Sequence, residues 1–295
     1  MYDVIVIGGG PAGLTAALYS LRAEKKVLVL EGNGFGGQIV YAQTVDNFPG
    51  SPNMNGAAFA ESLLDQVMSA GGDVEFEAVR EIIDGEEKTV VTEYREYKAK
   101  SVIIATGVKH RRLGAIGEEE HIGKGVSFCA VCDGAFFKGK RVAVVGGGNT
   151  ALEDAIYLSD IAEKVYLIHR RDEFRAEKRV ISELGEKTNV ELVLNSVVTQ
   201  INGDEFVSGV DINNVKTDDV KTLDVNGIFV AVGQIPQNDI FKGIVDLDND
   251  GYIIAGEDCK TSAEGIFAAG DCRTKSVRQL TTAVGDGTVA AVSIA

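Results

Sequence analysis

Two cysteines two residues apart, Cys129 and Cys132 in the run SFCAVCDG, are the first place in this sequence where chemistry is expected. Such a pair can ligate a metal, close into a disulfide that exchanges electrons, or lie as inert buried thiols. Zinc needs two further good ligands, and outside the pair the chain offers Cys259, Cys272 and three histidines, with no second C-x-x-C. Cys259 and Cys272 themselves read as small buried hydrophobes. Asp133, next to Cys132, could carry the proton that accompanies a thiolate, or with Gly134 could simply make an Asp-Gly turn. The window alone leaves the metal, redox and inert readings open.

A second set of chemistry-bearing residues is glycine-rich. Gly8, Gly10 and Gly13 in GGGPAG fit G-x-G-x-x-G, the spacing that lets backbone approach a pyrophosphate at a helix N-terminus. Before them stands the apolar run YDVIVI and after them LTAALYSLRAEK, whose apolar positions recur at helical spacing. A second strand-like run, KVLVLE, ends in Glu31, where a carboxylate can accept hydrogen bonds from a ribose diol. The same grammar returns downstream, with Gly146, Gly148 and Ala151 in the three small-residue places and His169 in the place of Glu31. Behind His169 come Arg170, Arg171 and Arg175, permanently charged forked donors suited to a 2'-phosphate that Glu31 would repel. The first unit is therefore expected to hold a dinucleotide with a free ribose, and the second NADPH.

That repeat gives the cysteine pair a context. NADPH delivers two electrons as a hydride and a disulfide takes two, but direct transfer between them is unfavourable without an intermediary, which a flavin supplies. FAD in the first unit would connect the two halves, which favours the redox reading of the pair.

The elements that must position these residues follow from the same patterns. Each dinucleotide unit is followed by extended, antiparallel-looking segments and an apolar strand ending in glycine, SVIIATG in the first and GIFVAVG in the second. Between them GAAFAESLLDQVMSA puts Phe59, Leu63, Leu64 and Val67 on one helical stripe. The tail GIFAAGDC is again a strand closed by a turn, where Asp271 could reach a polar cofactor chain. The simplest arrangement is α/β: two Rossmann-like, three-layer ββα dinucleotide-binding domains with the NADPH domain inserted into the FAD domain. The boundaries are expected in KHRRLG and GQIPQND, giving 1–111 with 239–295 for FAD and 112–238 for NADPH and the cysteines.

Bulk properties set limits. A chain of 295 residues can bury two cores without staples, and its formal charge of -15 repels nucleic acid and anionic membrane surfaces. No basic leader precedes the strand at Tyr2, and no apolar stretch approaches the ~20 residues of a membrane span, so a cytoplasmic location is expected. Four cysteines are too few for a disulfide scaffold.

The segments GGGPAG, GFGGQI, DNFPG, SFCAVCDGAFF, GGGNTALEDAIYL, HRRDEFRA, GIFAAGDC and RQLTTAVGDG, in that order, resemble the low-molecular-weight thioredoxin reductase family over essentially the entire chain. The resemblance implies a homodimeric FAD enzyme that passes electrons from NADPH to flavin, to the cysteine disulfide and on to oxidised thioredoxin or a thioredoxin-like protein. It makes Cys132 the thiol facing the flavin, Cys129 the one that attacks the partner disulfide, and Asp133 the acid/base. It implies that Gly37, Gln38, Asn47, Asp271, Arg278, Gln279 and Leu280 contact FAD, and that Asn149 and Thr150 stand at the NADPH turn. It also implies a rotation of one domain against the other, with no metal, and a last helix running somewhat beyond Ala295. Rival readings keep the flavin and cysteines but change the donor or partner, or make the chain a non-catalytic dinucleotide-binding module.

Overall fold

The run YDVIVI forms β1 (Tyr2–Ile7), and its alternation serves two cores: Val4 and Val6 pack on the helical side, Ile5 and Ile7 on the opposite face. The computed structural model describes residues 1–42 and 44–294. These fall into two units, Met1–Lys109 with Ile235–Ala295, and His110–Gln234.

After β1, α1 (Pro11–Arg22) starts with proline at its first turn, where the missing N–H costs nothing. Then follow β2 (Val27–Leu30), fully buried, and α2 (Gly56–Ser69), capped by Asn55, whose Oδ1 accepts the Ala58 N–H at 3.0 Å. Such a cap contributes ~1 kcal/mol. On α2, Leu63 and Val67 are buried, with Phe59 and Leu64 packed partly against the same core. Next come β3 (Asp73–Glu75), β4 (Val79–Ile83), β5 (Lys88–Thr92) and the long β6 (Glu96–Ile104).

The chain crosses out of this unit through β7 (Val108–His110). The second unit contains β8 (Val126–Ser127), α3 (Ala130–Asp133), β9 (Arg141–Gly146), α4 (Asn149–Ser159), β10 (Lys164–His169), α5 (Lys178–Gly185) and β11 (Val190–Leu194). A meander of β12 (Ser196–Gly203), β13 (Val207–Asn214) and β14 (Val220–Leu223) leads into β15 (Gly227–Ala231). Strands β11-β10-β9-β15-β8 make one parallel sheet, and β12-β13-β14 a separate antiparallel one. Val142 and Val144 of β9 pack against the helices, whereas Ala143 and Val145 pack toward the meander with Val198, Val210 and Ile212. The result is three layers, helix, parallel sheet and antiparallel sheet.

The return crossing, β16 (Gln234–Pro236), pairs with β7. Two further elements, β17 (Ile266–Ala268) and α6 (Leu280–Val292), complete the first unit. Its parallel strands run β3-β2-β1-β6, and β6 then serves two partners along one edge. The end of β6 pairs in parallel with β17, through Val102 with Ile266, while its start pairs antiparallel with β5. Helix α6 lies on α1 at backbone distance, because a Cβ on Gly287 would meet the Ala12 carbonyl oxygen at 2.2 Å. Leu14 of α1 is fully buried in this core, and cutting it to alanine costs about 2–5 kcal/mol.

Candidate functional site

In the first unit the glycines are fixed by contact. Gly8 has φ +111°, and a Cβ there would lie 2.3 Å from the Ala105 carbonyl oxygen; on Gly13 a Cβ would lie 1.9 Å from the Gly8 carbonyl oxygen. Gly10 is the N-cap of α1 and brings no side chain to the exposed N–H groups of the first turn. Facing it, Gly37 would place a Cβ 3.3 Å from the Gly10 Cα, so the two glycine backbones approach each other closely here. Glu31 braces this turn: its Oε2 accepts the Gly9 N–H at 2.7 Å, and its Oε1 accepts those of Asn33 and Gly34 at 2.6 and 3.2 Å. Gln38 is exposed on the 3-10 turn Gly37–Tyr41.

Distant segments join the same unit. Asn47 Nδ2 donates to Gln279 Oε1 at 3.1 Å, and Leu280 begins α6 directly afterwards. Arg278 donates from Nε to the Asp271 carbonyl at 3.4 Å and lays its guanidinium 4.2 Å over the Tyr252 ring. Asp271 stands in the 3-10 turn Gly270–Cys272 with Oδ1 buried and without a hydrogen-bond partner among the described residues. Burial pushes its carboxyl pKa up, against the pull of Lys275 and Arg278. A buried polar atom left unpaired costs about 1–3 kcal/mol, so this oxygen fits a hydroxyl-bearing cofactor chain such as that of FAD.

Asp286 was not distinguishable in the sequence. Its buried carboxylate accepts from the Gly270 N–H, from Arg273 Nε and Nη2, and from Lys275, all between 2.8 and 3.0 Å. The Arg273 and Lys275 charges hold its pKa below the usual carboxylate range despite burial. It anchors α6 to the turn that carries Asp271.

The second unit repeats the turn with different side chains. A Cβ on Gly146 would lie 2.4 Å from the Ala231 carbonyl oxygen, but one on Gly148, the N-cap of α4, would meet nothing within 4 Å. That side of the turn is open, and again no side chain caps the helix. His169 does not reach outward. Its ring lies where a Gly147 Cβ would be, stacks on Phe174 with centroids 5.4 Å apart, and bonds through Nε2 to the Glu173 carbonyl at 3.1 Å. Burial lowers its pKa. The Arg175 N–H bonds the Gly147 carbonyl at 2.7 Å, tying the arginine segment to the turn. Asn149 clasps Glu177, accepting its N–H at 2.8 Å and donating to its carboxylate at 3.2 Å, while Thr150 is exposed on α4. The side chains of Arg170, Arg171 and Arg175 are exposed and form no ion pair with a described residue. Three unpaired guanidinium groups beside an open glycine turn fit a phosphorylated ribose.

Cys129 and Cys132 are joined as a disulfide at the start of α3, each partly exposed, which leaves neither sulfur as a thiolate ligand for zinc. The Cys132 N–H donates to Cys129 Sγ at 3.2 Å. Asp133 turns back toward β8, where Ser127 Oγ lies 2.5 Å from its Oδ2. Burial raises the Asp133 pKa, and the Ser127 hydrogen bond opposes the rise. Ser127 is a second residue that sequence reasoning passed over, since nothing in SFCAVCDG says that the first and seventh residues touch.

Two dinucleotide turns and a disulfide on one chain define a class: an oxidoreductase that moves electrons between a nucleotide cofactor and a thiol pair. Residues 2–287 match the family described as pyridine nucleotide-disulphide oxidoreductase, and the chain belongs to that family. Among relatives, a thioredoxin reductase of Listeria monocytogenes is 43% identical over 98% of this chain and 92% of its own length. One of Peptoclostridium acidaminophilum is 44% identical over 99% and 95%. The crystal structure of thioredoxin reductase from Streptococcus pyogenes superposes with a TM-score of 0.96 at 42% identity, covering 100% of this chain and 97% of that one. Membership implies the use of a flavin and a pyridine nucleotide. Among the described residues no helix is long and apolar enough to cross a membrane.

Proposed function

We propose that this chain is a thioredoxin-disulfide reductase, taking electrons from NADPH through FAD to the Cys129–Cys132 disulfide and on to oxidised thioredoxin or a thioredoxin-like protein. In balance, NADPH, one proton and the partner disulfide give NADP+ and the partner dithiol. The observation that carries the reading is the partly exposed Cys129–Cys132 disulfide, held in the same unit as the open Gly148 turn.

The unit Met1–Lys109 with Ile235–Ala295 would hold FAD at Gly8, Gly10, Glu31 and Asp271, and His110–Gln234 would hold NADPH at Gly148, Arg170, Arg171 and Arg175. Bound FAD accepts a hydride from NADPH and supplies two electrons to a disulfide. Once the pair is reduced, the Cys129 thiolate, favoured by the Cys132 N–H, attacks one sulfur of the partner disulfide, and the other partner sulfur leaves as a thiolate. Asp133, kept protonated to higher pH than an ordinary carboxyl by its burial, delivers a proton to that leaving thiolate. The Cys132 thiolate then attacks Cys129 Sγ of the mixed disulfide, expelling the second partner thiolate and restoring the pair. The enzyme would work as a homodimer in the cytoplasm.

The test is NADPH oxidation with thioredoxin from the same genome. Cys129→Ser or Cys132→Ser should abolish disulfide reduction and leave anaerobic bleaching of the flavin by NADPH intact. A purified protein without a flavin spectrum, or one that NADPH does not bleach, overturns the reading.

A further inference from the structure

Ser127 has no role in the scheme above, yet it is the one side chain hydrogen-bonded to the Asp133 carboxyl among the described residues. It is 5% exposed and sits on β8, whose pairing with β15 sets Ser127 opposite Phe229 and fixes its backbone. Three groups surround that hydroxyl: the Cys129 N–H, which donates to Oγ at 3.1 Å, the Asp133 Oδ2 at 2.5 Å, and the Cys129 carbonyl oxygen at 3.3 Å.

A serine hydroxyl has one proton and two lone pairs. With one lone pair taken by the Cys129 N–H, two arrangements remain. When Asp133 is ionised, the hydroxyl donates to Oδ2. When Asp133 is protonated, its own O–H donates to the free lone pair of Oγ, and the serine proton turns to the Cys129 carbonyl. Both arrangements keep the serine proton and Asp133 Oδ2 hydrogen-bonded with no heavy atom moving, but the 2.5 Å contact to an ionised Oδ2 is charge-assisted and the stronger of the two.

From this geometry we infer that Ser127 is a positioning residue for proton transfer: a hydroxyl rotor that holds the Asp133 carboxyl in place in both protonation states and ties it to the backbone of Cys129. The inference rests on the proposed redox role of the pair. Proton delivery breaks the Asp133 O–H bond and forms the S–H bond of the leaving thiol, the serine proton turns from the Cys129 carbonyl to Oδ2, and Asp133 later recovers its proton from solvent.

The elements packed around α3 and β8 carry few competitors. On α4 the titratable groups are Glu153, Asp154 and Tyr157, and β15 carries none. Burial raises the Asp133 pKa, and the Ser127 hydrogen bond opposes it. Among the described residues Ser127 is thus the one side-chain handle on this carboxyl.

The experiment titrates the Asp133 carboxyl directly, by NMR of carbon-labelled aspartate in the oxidised holoprotein, with Asp133→Asn assigning the resonance. Ser127→Ala removes the hydrogen bond that favours the carboxylate, so the Asp133 midpoint should move up by about one to two pH units. Ser127→Thr, which keeps the hydroxyl, should restore it. In turnover the limb lost in Asp133→Asn should move in the same direction in Ser127→Ala, and Ser127→Ala should have no further effect on the pH profile in the Asp133→Asn background. An unmoved midpoint in folded, flavin-replete Ser127→Ala overturns the inference, as does an equal change of profile in both backgrounds. The titration needs no thioredoxin. A protein that shows the shift but reduces no thioredoxin would therefore sink the proposed substrate and leave the rotor standing.

Discussion

The same strand, turn and helix are built twice in this molecule, and the residue after the second strand shows how differently they are used. In the first unit Glu31 reaches back and accepts the N–H of Gly9, so a carboxylate fills the flank of the turn. In the second, His169 puts an aromatic ring under Gly147, and the charge lies outside on Arg170, Arg171 and Arg175. Both residues brace the middle glycine. Under the proposed function, discrimination between cofactors would rest on the carboxylate edge of Glu31 in one unit and the free guanidinium groups in the other. The third small-residue position differs as well, glycine in α1 and alanine in α4.

That last difference gives the largest expected effect. Gly13→Ala drives a Cβ to 1.9 Å from the Gly8 carbonyl and should cost several kcal/mol and the bound flavin, read as expression, flavin content and Tm. Ala151→Gly, the reciprocal change, should cost only ~1 kcal/mol of helix propensity. Replacing Arg170, Arg171 and Arg175 together by alanine should raise KM for NADPH at least ~100-fold and leave KM for NADH nearly unchanged, since one to two lost charge-assisted bonds at about 1.5–3 kcal/mol each already amount to that factor. Equal effects on both nucleotides would break the contrast between the units. Gly148→Ala meets no atom within 4 Å, so Tm should hold while NADPH affinity falls by ~10-fold as the methyl enters the pyrophosphate approach.

The smallest effect concerns α4 alone. Where α1 carries the buried Ala16, α4 carries Asp154, whose carboxyl is pushed up to about 7 by burial and by Glu153. The folded value exceeds the ordinary 3.8, so its stabilising contribution is complete below that value and is lost as pH rises through about 7. Asp154→Asn should therefore raise Tm by roughly 2–4 °C at pH 8, about 1 kcal/mol, and change little at pH 4.

Much of this was legible because its causes are local. Apolar runs, glycine turns and a helical stripe mark the two units in the sequence, and the in-register repeat exposes the exchange of Glu31 for His169 and the arginines. The orientation of His169 was not legible, since the register gives its place on β10 but not the ring contact with Gly147. Ser127 with Asp133 depends on how β8 turns into α3. Asn47 with Gln279, and Asp286 with Gly270 and Arg273, depend on strands and helices that meet only in the folded unit. Asn149 stands directly after Gly148 at the start of α4, as its place in the repeat indicates, whereas the bonds of its amide to Glu177 were not legible.

The bond from Asn47 to Gln279 joins residues 232 apart, and the whole of His110–Gln234 lies between them in the chain. On a ribosome, that interval lasts roughly 10–50 s at ordinary elongation rates. Throughout it α1 would wait with its α6-facing side bare, while the inserted unit, contiguous in sequence, could already be folded. Translation order thus lets the unit His110–Gln234 finish folding first, although residues 1–109 are made before it. Bare apolar surface therefore persists longest in the first unit, on α1 until α6 has been made.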